Sequence, residues 1–365
     1  MLVKDIKIYK IFTSTGNETV EAVINSTYRA SSAAGTSESS FAAKSVPVDS
    51  SIKNFSRIKK QFTGSFTQKS FDAELKKHFV ELGSIMTTAL SLAFFLSSVP
   101  KTTFPNNLGK VIGGGAHAKS RTTFQEFLVT PKAKTMEDVV KNSFAVWKAV
   151  GSALREKGHT GLDYECGWTA DINDEKALEL ISKIRESHDF RLGMDAAASN
   201  FYKNGVYAYP DNELDRDEQI DFIVDLAERY DIYYIEDPLD EKDYEGFSIL
   251  RQRLPKVLIT GDDIIASNPE RLKKAIGMNA MNGVIVKPNQ IGNVSDCLEL
   301  IDMAKKNNIV PVVSHRSSET CSGAVARLAL YGKLTKFGIA GIRTAKLNEL
   351  LRLWHDCKKP RLVRI

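Results

Sequence analysis

The sequence predicts a TIM-type β/α barrel preceded by a smaller α+β domain. Three observations support this fold class: a length of 365 residues, strand-like runs near the amino terminus, and a later region where short apolar runs alternate with amphipathic segments. The alternation recurs roughly every 25 residues, which is the strand–helix repeat of a barrel or of a doubly wound sheet. We expect residues 1–107 to form the first domain and residues 108–365 to form the barrel.

The first domain begins with two predicted strands, residues 7–13 and 19–26, in which β-branched residues recur in rough alternation. The Thr-Gly-Asn sequence between them predicts a turn. A polar stretch at 30–40 suits either a disordered linker or a mobile lid, and its composition favours the linker. Residues 71–99 predict a helical region.

Five apolar runs predict successive barrel strands, and a charged residue follows each of them. The runs are residues 190–194, 232–235, 257–260, 284–286 and 310–313. The charged residues are Asp195, Glu236, Asp262, Lys287 and His315. Because the active site of such a barrel lies at the carboxyl ends of its strands, we expect these side chains to converge there. One such residue alone would be an ordinary solvated loop residue, but five in register indicate a site.

Three of these residues, Asp195, Glu236 and Asp262, are carboxylates on consecutive strand ends. Oxygen ligands without Cys or His suit Mg²⁺, and carboxylates that converge would repel one another without a cation. Lys287 follows on the next strand. A lysine beside a divalent cation can be held as the neutral amine, which is able to accept a proton.

A candidate phosphate-binding segment follows the last of these strands. His315, Arg316 and Ser317 supply a charged fork and a hydroxyl suited to phosphate oxygens. The formal net charge of +5 is mild and suits a small anionic substrate. The aromatic and glycine signatures of RNA-binding sheets are absent, so we expect no nucleic-acid partner.

The cysteines and the apolar segments bear on the cellular compartment. The four cysteines form no CxxC pair, so neither a zinc site nor a disulfide framework is indicated, and free thiols suit a reducing cytoplasm. The amino terminus lacks the pattern of a secretory signal. The most apolar stretch, residues 85–99, is interrupted by Thr and Ser and is too short to cross a bilayer. It predicts a buried helix and no membrane partner.

Seven longer segments resemble one known family. They are GGGAHAKSRTTFQEFLVTP (113–131), DYECGWTADI (163–172), RLGMDAAASNFY (191–202), YYIEDPLDEKDYEGF (233–247), ITGDDIIASNPERL (259–272), GVIVKPNQIGN (283–293) and VVSHRSSET (312–320). Together they are similar to enolase, or phosphopyruvate hydratase, in the form of a shortened, divergent and archaeal-type member. The resemblance extends from about residue 105 to 352 and, more weakly, through the amino-terminal part.

The resemblance implies an enolase-like barrel, a capping domain with a mobile lid, and a role for each matching residue. The residues that would bind a first, structural Mg²⁺ are Asp195, Glu236 and Asp262. Lys287 would remove the C2 proton of 2-phosphoglycerate, and Glu165, with Glu126 nearby, would assist departure of the C3 hydroxyl. The residues that would contact the substrate are His117, His315, Arg316, Ser317 and Lys336, the last as the lysine that binds the carboxylate.

The resemblance also implies a cofactor stoichiometry and an assembly. A serine in the family's first mobile loop completes the second Mg²⁺ site, and Ala33 stands at that position here. We therefore expect two Mg²⁺ ions per active site, the second bound more weakly. The expected protein is a cytoplasmic, glycolytic hydro-lyase that takes a small phosphorylated carboxylate and assembles as a homodimer or a higher homo-oligomer.

Two alternatives remain open from the sequence. One is a divergent lyase of the same superfamily that removes an α-proton from another phosphorylated carboxylate, which the altered lid favours. The other is a weakly active paralogue with a binding role. The intact phosphate segment argues against the first alternative, and the retained acid, base and metal residues argue against the second.

Overall fold

The computed structural model describes residues 1–34, 42–118, 120–156 and 161–365. More than half of the stretch 30–40, for which a linker or a lid is predicted, therefore lies outside the described residues. Within the described ranges, no helix combines the length with the apolar character that a membrane span needs.

The described residues form the following strands and helices, numbered in chain order. The strands are β1 (Leu2–Val3), β2 (Ile6–Phe12), β3 (Glu18–Ile24), β4 (Tyr28–Ser31), β5 (Gly64–Ser65), β6 (Thr103–Phe104), β7 (Asn106–Asn107), β8 (Gly109–Gly113), β9 (Glu126–Pro131), β10 (Gly161–Leu162), β11 (Trp168–Thr169), β12 (Phe190–Asp195), β13 (Tyr202–Lys203), β14 (Val206–Ala208), β15 (Glu213–Leu214), β16 (Ile232–Glu236), β17 (Leu258–Gly261), β18 (Gly283–Val286), β19 (Val310–Ser314), β20 (Leu334–Lys336) and β21 (Arg361–Leu362). The helices are α1 (Val48–Ile58), α2 (Gln68–Lys77), α3 (Phe79–Phe95), α4 (Met136–Arg155), α5 (Asp174–Arg185), α6 (Arg216–Arg229), α7 (Tyr244–Arg253), α8 (Pro269–Gly277), α9 (Pro288–Ile291), α10 (Val294–Lys306), α11 (Val325–Ala329) and α12 (Thr344–Asp356).

The amino-terminal region combines an antiparallel sheet with three helices. Strands β2, β3 and β4 pair in chain order, and the two strands predicted there are confirmed to within two residues. The single helical region predicted over 71–99 is wrong in one respect, because the structure divides it into α2 and α3. Gly83 inside α3 has a φ of 70°, and a Cβ there would lie 2.5 Å from the backbone nitrogen of Val46. Only glycine allows the chain to pass this close in a left-handed conformation.

The central sheet closes into the predicted barrel. Its order is β10-β11-β8-β9-β12-β16-β17-β18-β19-β20-β7, and the strands from β12 to β20 are parallel. The run 106–113 pairs with β20 at its start and with β9 along its end, which joins the two edges. The barrel is not parallel throughout, because β9 runs antiparallel to both β8 and β12. Side chains that form a compact cluster within the sheet are Leu108, Leu128, Tyr234, Ile285, Val312 and Leu334.

The amino-terminal helices pack against the barrel through polar contacts as well as apolar ones. The Ser91 hydroxyl accepts the backbone N–H of Val294 at 2.8 Å, and the Asp72 carboxylate accepts that of Ser295 at 2.8 Å. These bonds satisfy N–H groups in the first turn of α10, which have no partner within the helix. The division into residues 1–107 and 108–365 stays our proposal, although β7 already belongs to the barrel sheet.

Candidate active site

The carboxyl ends of the barrel strands surround one cavity. Asp195 and Glu236 end β12 and β16, Asp262 follows β17, Lys287 precedes α9, and Lys336 ends β20. The sequence-predicted residues that line the cavity are His117, Glu126, Glu165, Asp195, Asp262, Lys287, His315, Arg316, Ser317 and Lys336. Glu236 is fully buried and contacts Lys336. The fold therefore brings all of the predicted site residues together.

Two lysines neutralise the three predicted Mg²⁺ ligands. Nζ of Lys336 lies 2.6 Å from Oδ2 of Asp195 and 2.9 Å from Oε1 of Glu236. Lys287 pairs with Oδ2 of Asp262, whereas Oδ1 of Asp262 is buried without a hydrogen-bond partner in the part of the chain that the structure describes. Burial, and then the charge of Asp195, raise the pKa of Glu236 well above its ordinary value. An orphaned oxygen within an all-oxygen donor set fits Mg²⁺.

A second group of carboxylates overlaps the predicted ligand set. One oxygen from each of Asp237, Asp262 and Asp263 lies within 4.8 Å of the others. The Asp237 carboxylate, however, accepts the backbone N–H of Asp262 at 3.0 Å and that of Asp263 at 2.7 Å. These two hydrogen bonds therefore organise the loop after β17. In our proposal the partners of Asp262 at the metal remain Asp195 and Glu236.

The other side of the cavity is organised by a lysine that the sequence analysis missed. Nζ of Lys110 lies 2.6 Å from Oδ2 of Asp163, 2.9 Å from Nδ1 of His117 and 3.2 Å from Oε2 of Glu165. It is also 3.8 Å from Oε1 of Glu126. Side-chain atoms of His117, Glu126 and Glu165 are close enough to resemble a metal site, but the ammonium group already supplies the cation. The signal in the sequence was a charged residue within the apolar strand β8, whose residues are all buried.

The surroundings of the two glutamates move their pKa values in opposite directions. Burial raises the pKa of Glu126 to about 8, and the Lys336 and Lys110 charges offset this effect only in part. Burial acts in the same direction on Glu165, but the Lys110 charge, with smaller help from His117, lowers its pKa well below the usual range. Paired carboxyl groups with opposite shifts are typical of acid–base sites. These opposite directions favour Glu126 over Glu165 as the carboxyl group that carries a proton in the substrate-free protein.

Arg343 is a second functional candidate that the sequence analysis missed. Its guanidinium donates to the carbonyl of Ser317 at 2.6 Å and to the carbonyl of Tyr164 at 3.0 Å. It also lies 3.7 Å from Oε1 of Glu165. Arg343 thus connects the loop that carries Tyr164 and Glu165, called the acid loop below, to the phosphate segment. Only the fold could reveal this, because its partners stand far away in the sequence.

The predicted phosphate segment is held in place by its own hydrogen bonds. Nδ1 of His315 accepts the backbone N–H of Gly338 at 3.2 Å, and the Arg316 guanidinium donates to Oδ1 of Asn289 at 2.9 Å. The Arg316 backbone N–H donates to Glu319 at 3.0 Å. Because these contacts fix the segment before any ligand binds, the guanidinium is preorganised for an anion.

Ala33 and Ala34, at the start of the predicted lid, contact residues beside the phosphate segment. Ala34 and Ser318 form an antiparallel bridge, with backbone N–H···O distances of 2.9 and 3.2 Å. The carbonyl of Ala33 accepts from Nδ2 of Asn289 at 3.2 Å. Position 33 therefore lies beside the site, and the residues that follow Ala34, up to position 41, are outside the described ranges.

A barrel with hard-oxygen ligands, a lysine and a glutamate pair around one cavity defines a metal-assisted lyase of the β/α-barrel class. The family model described as "Enolase, C-terminal TIM barrel domain" matches residues 101–359. The enolase of Picrophilus torridus is 37% identical, over 96% of this chain and 98% of that protein. The enolase of Archaeoglobus fulgidus is 36% identical over 100% of both chains, and that of Thermoplasma acidophilum is 34% identical.

The chain belongs to the enolase family. It is accordingly a carbon–oxygen lyase of the phosphopyruvate hydratase type, and the sequence-based identification is confirmed. Membership implies dependence on Mg²⁺ and a phosphorylated carboxylate as substrate.

Proposed function

We propose that the chain interconverts 2-phosphoglycerate and phosphoenolpyruvate plus water, a step of glycolysis and gluconeogenesis. The observation that carries the proposal is that Lys287 and the pair of Glu165 and Glu126 line one cavity while they contact different neighbours. A base and a separate acid are what this reaction needs, because the proton leaves C2 and the hydroxyl leaves C3.

The reaction divides among the side chains as follows. Lys287 takes the C2 proton first, and the electron pair of that C–H bond is delocalised onto the substrate carboxylate. This electron pair then forms the C2–C3 double bond when the C3–oxygen bond breaks. The departing hydroxide takes a proton from the Glu126 and Glu165 pair and leaves as water. Lys336 holds the substrate carboxylate beside the metal ligands. The residues that hold the phosphate are His315, Arg316 and Ser317, with His117 near the reacting carbons.

Two Mg²⁺ ions take part in this proposal. When bound, Mg²⁺ would stabilise the extra negative charge that develops on the substrate carboxylate. The residues that would hold the first ion are Asp195, Glu236 and Asp262, and the buried, unpartnered Oδ1 of Asp262 supports this choice. The second ion would bind with substrate beneath the lid, where Ala33 offers a carbonyl but no hydroxyl.

The test of the function is a direct assay. Purified protein with 2-phosphoglycerate and Mg²⁺ is expected to form phosphoenolpyruvate, followed by its ultraviolet absorbance, and a chelator should abolish the reaction. Calcium or lithium salts at matched ionic strength control for a general salt effect. The absence of product with excess Mg²⁺ and ample protein would contradict the proposal and leave the related lyase or the binding role.

The lid position gives a second prediction. Ala33→Ser is expected to lower the Mg²⁺ concentration that gives half-maximal turnover several-fold, because a hydroxyl can replace a water ligand of the second ion. Mg²⁺ binding to the substrate-free protein, measured by calorimetry, should not change. The matched control is Ala34→Ser, one residue further along the lid. Identical activation curves for Ala33→Ser and the parent protein would mean that this position does not reach the second ion.

Assembly and compartment complete the proposal. We expect two or more copies of the chain to associate, and light scattering at several concentrations would measure this. A reducing cytoplasm is supported by the free thiols of all four cysteines.

A further inference from the structure

We propose that Lys110 is a positioning residue for the hydroxyl-elimination half of the reaction. It holds the Glu165 carboxylate and the His117 ring in place from behind the cavity wall and touches no reacting atom. This inference rests on the function proposed above. It assigns a separate task to a residue outside the predicted site.

Lys110 has three short contacts: hydrogen bonds to His117 and Glu165, and an ion pair with Asp163. An ammonium group has three donors and no acceptor. The three partners lie at 2.6 Å (Asp163), 2.9 Å (His117) and 3.2 Å (Glu165). Because the Lys110 side chain is only 2% exposed, solvent does not compete for these donors. Nδ1 of His117 must accept in this arrangement, so the neutral ring carries its proton on Nε2.

Lys110 is itself anchored by a carboxylate that shapes the acid loop. Oδ1 of Asp163 accepts the backbone N–H of Glu165 at 2.8 Å and that of Gly167 at 2.9 Å, while Oδ2 forms the ion pair with Lys110. The same aspartate therefore fixes both the backbone of Glu165 and the ammonium group that holds its side chain. Loss of either element would free the carboxylate to move.

The surrounding backbone leaves room for this lysine. A Cβ on Gly113 would lie 2.9 Å from Cε of Lys110 and would collide with Oδ2 of Asp163. A Cβ on Gly167 would also lie 2.9 Å from Cε of Lys110. Both glycines have the φ range of ordinary residues, so the space itself is what requires the missing side chain. Strand β8 and the loop that carries Asp163, Glu165 and Gly167 are thus fitted closely around one ammonium group.

Lys110 acts on the elimination of the C3 hydroxyl and not on the removal of the C2 proton. Its partners belong to the Glu165 side of the cavity, whereas the base Lys287 pairs with Asp262 on the other side. Misplacement of a reacting group by about 1 Å costs a rate factor on the order of 10². We therefore expect Lys110→Met to slow dehydration about 100-fold while exchange of the C2 proton with solvent deuterium falls less than about threefold.

The experiment measures both rates on the same protein. Exchange at C2 is followed by proton NMR in deuterium oxide, and dehydration by the absorbance of phosphoenolpyruvate. Asp163→Asn is the second variant, because it keeps Lys110 but weakens its anchor, and it should change the ratio of the two rates in the same direction. Lys346→Met is the matched control: Lys346 is equally buried, pairs with Glu319 at 2.7 Å and should lower both rates by one factor.

The outcomes separate the two proposals. If the parent protein neither exchanges nor dehydrates 2-phosphoglycerate, the proposed function fails. If the parent protein does both, and the folded Lys110→Met and Asp163→Asn variants lose both rates equally, the positioning role is wrong. Thermal unfolding of each variant shows whether it is folded at the assay temperature, and Asp163→Asn decides the question if Lys110→Met does not fold.

Discussion

Lys287→Ala is expected to abolish turnover, with losses of at least about 10³-fold in both dehydration and C2 exchange, the upper part of the range for a general base. The reason is that proton removal comes first, and no later step can proceed without it. The contacts of Lys287 support the choice, since it lies in the cavity wall and pairs with Asp262, a predicted metal ligand. Removing the Lys287 ammonium group also frees the Asp262 carboxylate to bind the metal. Mg²⁺ binding should therefore persist in this variant.

The comparison variant for Lys287→Ala is Glu165→Gln. It keeps a side chain of the same shape but removes the negative charge next to Lys110, so dehydration should fall by about 10²-fold or more. C2 exchange should remain measurable because Lys287 is intact. Equal loss of exchange in both variants would contradict the assigned roles, or would mean that the two residues act as one unit.

Glu236→Gln is expected to raise the Mg²⁺ requirement at least about 100-fold, more than is typical for a residue that only supports a metal ligand. Glu236 is fully buried, and its two oxygens accept from Tyr234 at 2.6 Å and from Lys336 at 2.9 Å. Glutamine offers one oxygen, which can still accept from Lys336, and its amide N–H can donate to the Tyr234 hydroxyl, which is also an acceptor. The variant thus loses the negative charge that would bind Mg²⁺, while its buried hydrogen bonds can be kept.

Calorimetric titration of the substrate-free protein with Mg²⁺ measures this loss directly, and activity at saturating substrate gives the second reading. The control is Glu228→Gln, which neutralises an exposed glutamate on α6. Unchanged Mg²⁺ binding in Glu236→Gln would remove this residue from the ligand set. The overlapping group of Asp237, Asp262 and Asp263 would then be the better candidate.

Much of the barrel could be predicted because its local signals are strong. Strands β12, β16 and β19 begin where the apolar runs begin, and each extends one residue past the predicted end. Five consecutive strand–helix units leave few other folds. The direction of a strand could not be predicted in the same way, because the sequence of β9 is that of an ordinary buried strand. Its antiparallel pairing with β8 and β12 follows from how the sheet closes.

The charged residues at strand ends could also be predicted, because the geometry of a barrel carries such positions to one place. Asp195 and Glu236 end their strands in the structure, and both contact Lys336, a residue that the family resemblance predicted. The resemblance to a family added Glu126 and Glu165, which lie outside this regular pattern.

By itself, the sequence determined the fold class, the family, and the side chains that meet at the strand ends. Only the tertiary structure decided which buried charges are partners. Lys110 stands 55 positions from Glu165, and Arg343 stands 179 positions from Tyr164, so no local pattern links them. A buried ion is stable only when its partners are packed against it, and that packing depends on the closed barrel as a whole.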